Sequence, residues 1–230
     1  PEKPGVYGGF GGIVDGLPDM CSTLETPVVG GNVSLYNDSP SGPIPPTPTL
    51  ALVGTKDGYD SPPLSLSGEG EILLVGDEAL AGETTPRLGG SELLAQFGGT
   101  DAFPALPDDP SGLVETVADV ANADSTLATH DVSHGGLAVA LAEMVTDESG
   151  VRVDLGDVDA PTQALFHEQP GRVVVETTDP DAVRDAFEGI VPVTHVGEAT
   201  GDGTLSLSVG GSALHVDAES IQEYRSTISD

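Results

Sequence analysis

The sequence predicts an α+β fold, or mixed α/β: a mixed sheet with helices layered on it. Three observations carry that expectation. Short apolar runs such as Ile72-Leu73-Leu74-Val75 are bounded by glycines and polar residues, as strands are. Other segments place apolar residues at helical spacing, for example Leu137, Leu141, Met144 and Val145 at i, i+4, i+7 and i+8. The two kinds of segment mix along the chain without strict alternation, which fits helices packed on one sheet.

The elements follow in order. Over residues 10–25, Ile13, Leu17, Met20, Cys21 and Leu24 form one face of an amphipathic helix that Pro18 dents without removing. On that face Cys21 reads as a small buried hydrophobe. Residues 26–36 read as a strand running into Gly30-Gly31, and residues 49–55 as a second, buried strand. Between them, residues 39–48 are dense in proline and form an extended loop. Residues 61–70 are rich in Ser, Pro and Gly and mark a domain boundary. Beyond it come a strand at 71–76, a helix opened by Gly89-Gly90-Ser91-Glu92, and a helix after Asp109-Pro110. A strand at 126–132, a helix at 135–145 and a strand at 172–177 follow. Asp179-Pro180 caps a helix carrying Val183, Phe187 and Ile190. Residues 193–198, 204–209 and 213–216 are strands, the last two joined as a hairpin by Gly210-Gly211. One helix and two strands in the first sixty residues cannot cover both sides of a sheet. That portion is expected to be the end of a domain, and the chain a piece of something larger.

Composition narrows the function. Against 38 Asp and Glu stand 7 Lys and Arg, a net charge of −31 over 230 residues. That sign repels phosphate backbones and anionic lipid, so neither nucleic acid nor a membrane surface is expected as a partner. No apolar run approaches the ~18 residues of a membrane span, and a cytoplasmic location is expected. One cysteine excludes a disulfide framework and a cysteine-built zinc site. The acids are scattered among apolar periodic segments, which describes a folded protein with an acidic, salt-adapted (halophilic) surface rather than disorder. At 1 M salt, screening shortens to about 3 Å. The melting temperature is therefore expected to fall when KCl is lowered from molar to millimolar; a melting temperature that does not move excludes salt adaptation.

Two motifs can carry chemistry. In Gly30-Gly31-Asn32-Val33-Ser34, glycines let backbone approach a ligand closely. Asn32 offers a hard amide oxygen suited to Mg²⁺, and Ser34 a hydroxyl two residues on. The alternative is a bland turn with a capping asparagine. In His130-Asp131-Val132-Ser133-His134-Gly135-Gly136, Ser133 can cap a helix whose first amides face an anion. Here the alternative is a packing corner whose glycines admit a neighbouring segment. No third ligand supports zinc at His130 and His134, and no Gly-x-Ser-x-Gly elbow supports a serine hydrolase. His167 and Glu168 read as an edge or turn, and His195 and His215 as structural or exposed strand residues.

In combination these segments resemble a known family. The segment from Pro27 through Gly30-Gly31-Asn32-Val33-Ser34-Leu35-Tyr36-Asn37, with Pro1 to Pro4 before it and Ile44 to Pro48 after it, is similar to the large (synthetase) subunit of phosphoribosylformylglycinamidine synthases. Gly89-Gly90-Ser91-Glu92, His130-Asp131-Val132-Ser133 with Gly135 to Glu143, and Leu165-Phe166 with Glu168 and Gly171-Arg172 continue the likeness in the same order. The resemblance implies a C–N ligase of purine synthesis. Formylglycinamide ribonucleotide, ATP and ammonia from a partner glutaminase give formylglycinamidine ribonucleotide, ADP and phosphate. It implies ATP and Mg²⁺ as cofactors. It implies residues 1–66 as the end of the second nucleotide-binding half of the aminoimidazole-ribonucleotide-synthase type, and residues 67–230 as the complete second capping half. It assigns Gly31 to ATP, Asn32 to Mg²⁺ and Ser34 to the ribonucleotide.

The implied partners are an N-terminal half of the synthetase, a glutaminase subunit and a small accessory subunit. The family's catalytic histidine and substrate arginine belong to the first copy, and an ATP-binding aspartate–asparagine stretch belongs before Pro1. No catalytic residue is assigned here, and the isolated chain is expected to be inactive. His134 replaces the family's usual aspartate. Two alternatives stand beside this reading: another member of the superfamily, such as aminoimidazole ribonucleotide synthase, and a non-catalytic acidic capping or assembly module.

Overall fold

A computed structural model describes residues 4–34, 38–40, 42–44, 46–56, 58 and 61–226. The chain forms two compact units, Pro1–Tyr59 and Asp60–Asp230.

The first unit opens with α1 (Pro4–Thr23), which continues through Pro18. The stripe Ile13, Leu17, Met20, Cys21 and Leu24 is half-buried, and no residue of the helix is fully buried. Cys21 is therefore less enclosed than its position predicts. Glu25, at φ 50°, turns the chain out of the helix. At the start of the predicted loop, β1 (Asp38–Ser39) pairs antiparallel with β2 (Gly42–Pro43).

The strands predicted at 26–36 and 49–55 are not formed over residues 26–34 and 49–55, and positions 35–37 lie outside the described residues. A strand exists through its ladder, and among the described residues neither segment has a neighbour to pair with. Their apolar side chains lie open instead: Val29 is 96% exposed and Val53 98%. Apolar composition that reads as buried strand meets no second layer within this unit.

The second unit is built on a seven-stranded sheet in the order β4-β6-β3-β7-β5-β8-β9. Its strands are β3 (Glu71–Val75), β4 (Thr126–Asp131), β5 (Gly150–Asp154), β6 (Val173–Thr177), β7 (Val193–Thr200), β8 (Thr204–Val209) and β9 (Ser212–Asp217). Every pairing is antiparallel except β5 with β8. The helices are α2 (Glu92–Phe97), α3 (Pro110–Ala121), α4 (Gly136–Met144), α5 (Pro161–Phe166), α6 (Pro180–Ala186) and α7 (Ala218–Ser226). This is the predicted mixed sheet with helices layered on it; β5, α5 and α7 are additions to the elements predicted.

Alternation sorts the side chains of β3. Ile72 and Leu74 join α4 and α7 in one core, with Leu137, Leu141, Met144 and Ile221. Leu73 and Val75 face α3 and α6, with Leu113, Val120, Val183 and Phe187. Asp109 and Asp179 cap α3 and α6, accepting from Gly112 N–H and Ala182 N–H, each followed by proline in the first turn. The β8–β9 hairpin turns at Gly210-Gly211, φ 53° and 77°, the left-handed pair a two-residue turn requires.

Candidate functional site

Gly30 to Ser34 run as an open, exposed segment of the first unit. A Cβ placed on Gly30 or Gly31 meets nothing within 4 Å, and neither glycine has a positive φ. What the two glycines supply is therefore bare backbone with room for a ligand, not a left-handed turn. Asn32 and Ser34 are exposed alongside. The donor set fits a magnesium–phosphate group in part. One neutral carboxamide oxygen is a hard ligand of the right kind, and magnesium habitually completes its octahedron with phosphate oxygens and water.

The corner after β4 takes the packing alternative. Gly135 precedes α4 at φ 81°, and no side chain caps the helix. Ser133, predicted as the N-cap, instead donates to the Asp131 carboxylate. The amide predicted to face an external anion is already taken: Gly135 N–H donates to Glu168 Oε1 at 2.9 Å. The same oxygen accepts from Glu92 N–H at 2.8 Å, so one carboxylate joins the starts of α2 and α4. Gly136, at φ 68°, lies where a Cβ would come within 2.6 Å of the Leu165 carbonyl oxygen. The second glycine admits the backbone at the end of α5. His130 Nδ1 lies 2.7 Å from the Asp131 carbonyl oxygen, and His134 Nδ1 lies 3.4 Å from Glu92.

His167, read from the sequence as an edge or turn residue, belongs instead to a buried ionic cluster. His167, Arg172 and Asp77 are all buried. Arg172 Nη1 donates to Asp77 Oδ2 at 2.8 Å, and His167 Nε2 lies 3.1 Å from the same oxygen. Arg172 Nη2 donates to the His167 carbonyl. Burial alone would raise the Asp77 pKa. The hydrogen bond with His167 and the charge of Arg172 outweigh it and hold the carboxyl at about 2. Burial pushes the Arg172 pKa down, and Asp77 opposes that shift. The cluster clamps the segment 167–172 to the turn after β3. A second enclosed carboxylate, Glu176, accepts from Ser67 N–H at 2.7 Å, Ser67 Oγ at 2.7 Å and Gly70 N–H at 3.1 Å. It ties the entry of the second unit to β6. Scarcity was the available signal: an arginine heading an apolar strand, in a chain with seven basic residues, seeks a buried acid.

His195 lies 3.2 Å from Glu71, and His215 Nδ1 lies 2.9 Å from Ser206 Oγ. Both are exposed strand residues.

Residues 69–210 match the family described as AIR synthase related protein, C-terminal domain. Among curated relatives, the phosphoribosylformylglycinamidine synthase subunit PurL of Haloarcula marismortui is 64% identical over 232 residues, covering 100% of this chain and 32% of the relative. That of Natronomonas pharaonis is 64% identical over 230 residues, covering 100% and 31%. That of Methanosarcina acetivorans is 35% identical, covering 97% and 31%. The chain thus spans about a third of the length of the curated relatives it matches. In fold it is similar to T. maritima PurL complexed with FGAR, with a TM-score of 0.53 and 15% identity, covering 70% of this chain and 29% of that one.

Proposed function

Because the chain belongs to the family of AIR synthase related proteins, C-terminal domain, we propose that it is the C-terminal part of the synthetase subunit of a phosphoribosylformylglycinamidine synthase. The observation that carries this is 64% identity over the whole chain to two PurL subunits. Residues 1–66 end the second nucleotide-binding half and residues 67–230 form the second capping half. The reaction is ATP-dependent amidine formation on formylglycinamide ribonucleotide, with ammonia supplied by a glutaminase subunit; a small accessory subunit completes the assembly.

Gly31 binds ATP through its bare backbone, Asn32 holds Mg²⁺ through its amide oxygen, and Ser34 contacts the ribonucleotide. Bound magnesium neutralises phosphate charge. This chain's own contribution is positional: open backbone at Gly30-Gly31, an exposed carboxamide and a hydroxyl on one short segment. The exposed Val29, Leu52 and Val53 fit a surface covered by the N-terminal two-thirds of the synthetase. The setting is a halophilic cytoplasm, where molar salt screens the acidic surface.

The test is a single polypeptide joining the N-terminal two-thirds of the Haloarcula marismortui relative to this chain, assayed in molar KCl with ammonium, ATP and formylglycinamide ribonucleotide. ADP and the amidine product are expected in equal amounts, with none from either piece alone. A folded fusion that releases no ADP overturns the ligase reading in favour of the non-catalytic assembly module.

A further inference from the structure

A cavity of about 300 Å³ in the second unit lies apart from the segment carrying Asn32 in sequence and is lined entirely by residues of its own unit. Its lining includes Thr84, Thr85, Arg87, Phe103, Pro104 and Gln169. That volume is at the lower end of small-molecule sites.

Gln169 is the observation that matters most. It is 5% exposed, yet its carboxamide makes no hydrogen bond to any described residue. Buried carboxamides are normally paired, because an unpaired one loses its bonds to water without replacement. Nor is this amide sealed in the interior. Among the described residues, the enclosed side-chain atoms without a partner are His167 Nδ1 and Arg172 Nε. The Gln169 amide therefore keeps some contact with solvent, and Gln169 lines the cavity.

Its place is firmly held. Glu168, one residue before, joins the starts of α2 and α4. Arg172, three residues after, is fixed by Asp77.

Phe103 supplies a flat wall. It is 79% exposed, and its ring lies against Gly90, where a Cβ would come within 2.8 Å of the ring. Gly89 N–H donates to the Ala102 carbonyl at 3.0 Å and holds the two segments together. An exposed aromatic is a poor choice for stability alone and a good platform for a π-face.

Charge decides between ligands. Arg87 is already 3.4 Å from Asp101, whose carboxyl is held below its ordinary value by hydrogen bonds from the Leu88 and Ala102 amides. Glu78 also lines the cavity. With one cation and two carboxylates nearby, the site does not favour a polyanion.

We propose that this cavity binds a neutral purine nucleobase or nucleoside, its ring stacked on Phe103 and a donor–acceptor edge of the base paired with the Gln169 carboxamide. A carboxamide can meet adenine in a bidentate pair, one N–H donated and one accepted, while stacking on an aromatic tolerates any base. The inference does not depend on the proposed ligase activity, because the cavity belongs wholly to the second unit.

The experiment is a titration of the full chain in molar KCl with adenosine, followed by NMR and calorimetry, with ATP as the comparison. Saturable adenosine binding is expected, with ATP no tighter. Phe103→Ala should weaken it about tenfold or more, the scale of one lost base stack. Because Phe103 is exposed, the variant should keep its fold, and Phe103→Tyr should restore affinity. Gln169→Leu should weaken binding about tenfold, the scale of one base-edge pair. No saturation up to about 10 mM, a range that still detects affinities of a few kcal/mol, overturns the proposal. So does adenosine binding indifferent to Phe103→Ala, or ATP bound tenfold tighter than adenosine.

Discussion

Asn32→Ala, made in the joined polypeptide, lowers kcat/KM for Mg·ATP by about 10²-fold or more, the scale of losing one preorganised electrostatic contact to a developing anion. The reasoning starts from charge. A neutral amide oxygen contributes little attraction of its own, but it fixes where a divalent cation sits against the phosphate chain, and the cation does the neutralising. Removing the oxygen leaves the glycine backbone intact, so nucleotide can still dock while its metal is misplaced. The loss should therefore fall mainly on kcat and should shrink as Mg²⁺ is raised. Asn32→Asp provides the contrast: it restores an oxygen and adds a negative charge, keeping metal affinity while repelling phosphate. Initial rates against Mg²⁺ and ATP separate the two. Parental rates in Asn32→Ala would mean that the segment is an ordinary exposed stretch and holds no catalytic metal. The exposure of Asn32 makes the variant informative, since no packing is lost with the side chain.

What could be seen in the sequence divides by the distance over which each interaction acts. Asp109 and Asp179 cap the helices that follow them by accepting from the amide three residues on, and Gly210-Gly211 closes a hairpin between adjacent strands. Local chemistry decides those cases, and local patterns read them correctly. The corner at Gly135 shows the limit. Its free amide and bare glycines are real sequence features, but the anion that meets them is Glu168, 33 positions away in the same chain. The ionic cluster lies further out of reach, with Asp77 and Arg172 separated by 95 residues. Segments 26–34 and 49–55 fail for the complementary reason. Strand propensity measures fitness for a half-buried pleated surface, and no partner surface lies among the described residues of their unit. The candidate ligand segment sits in just that portion, so its residue types were readable from sequence while its predicted strand was not formed.

The cluster gives the sharpest stability prediction. Asp77 has a folded-state pKa of about 2 against an ordinary 3.8. A depressed carboxyl pKa stabilises the fold above the unfolded value, and that contribution is lost as pH falls from about 3.8 through about 2. That lowering corresponds to about 2–3 kcal/mol at neutral pH. Asp77 is buried, so molar KCl screens it little, whereas the many surface carboxylates are screened strongly. Acid unfolding followed by circular dichroism in molar KCl should therefore expose the buried group's titration. Asp77→Asn should flatten the pH dependence between about 4 and 2 and cost about 3–5 kcal/mol at neutral pH, because Arg172 is left buried without its counter-charge. Arg172→Met should cost a similar amount by stranding Asp77. The double variant Asp77→Leu/Arg172→Met should cost clearly less than the sum of the two, because it strands neither charge. Additive losses would show that the two groups stabilise the fold independently, and the clamp between residues 167–172 and the turn after β3 would then owe nothing to their charges.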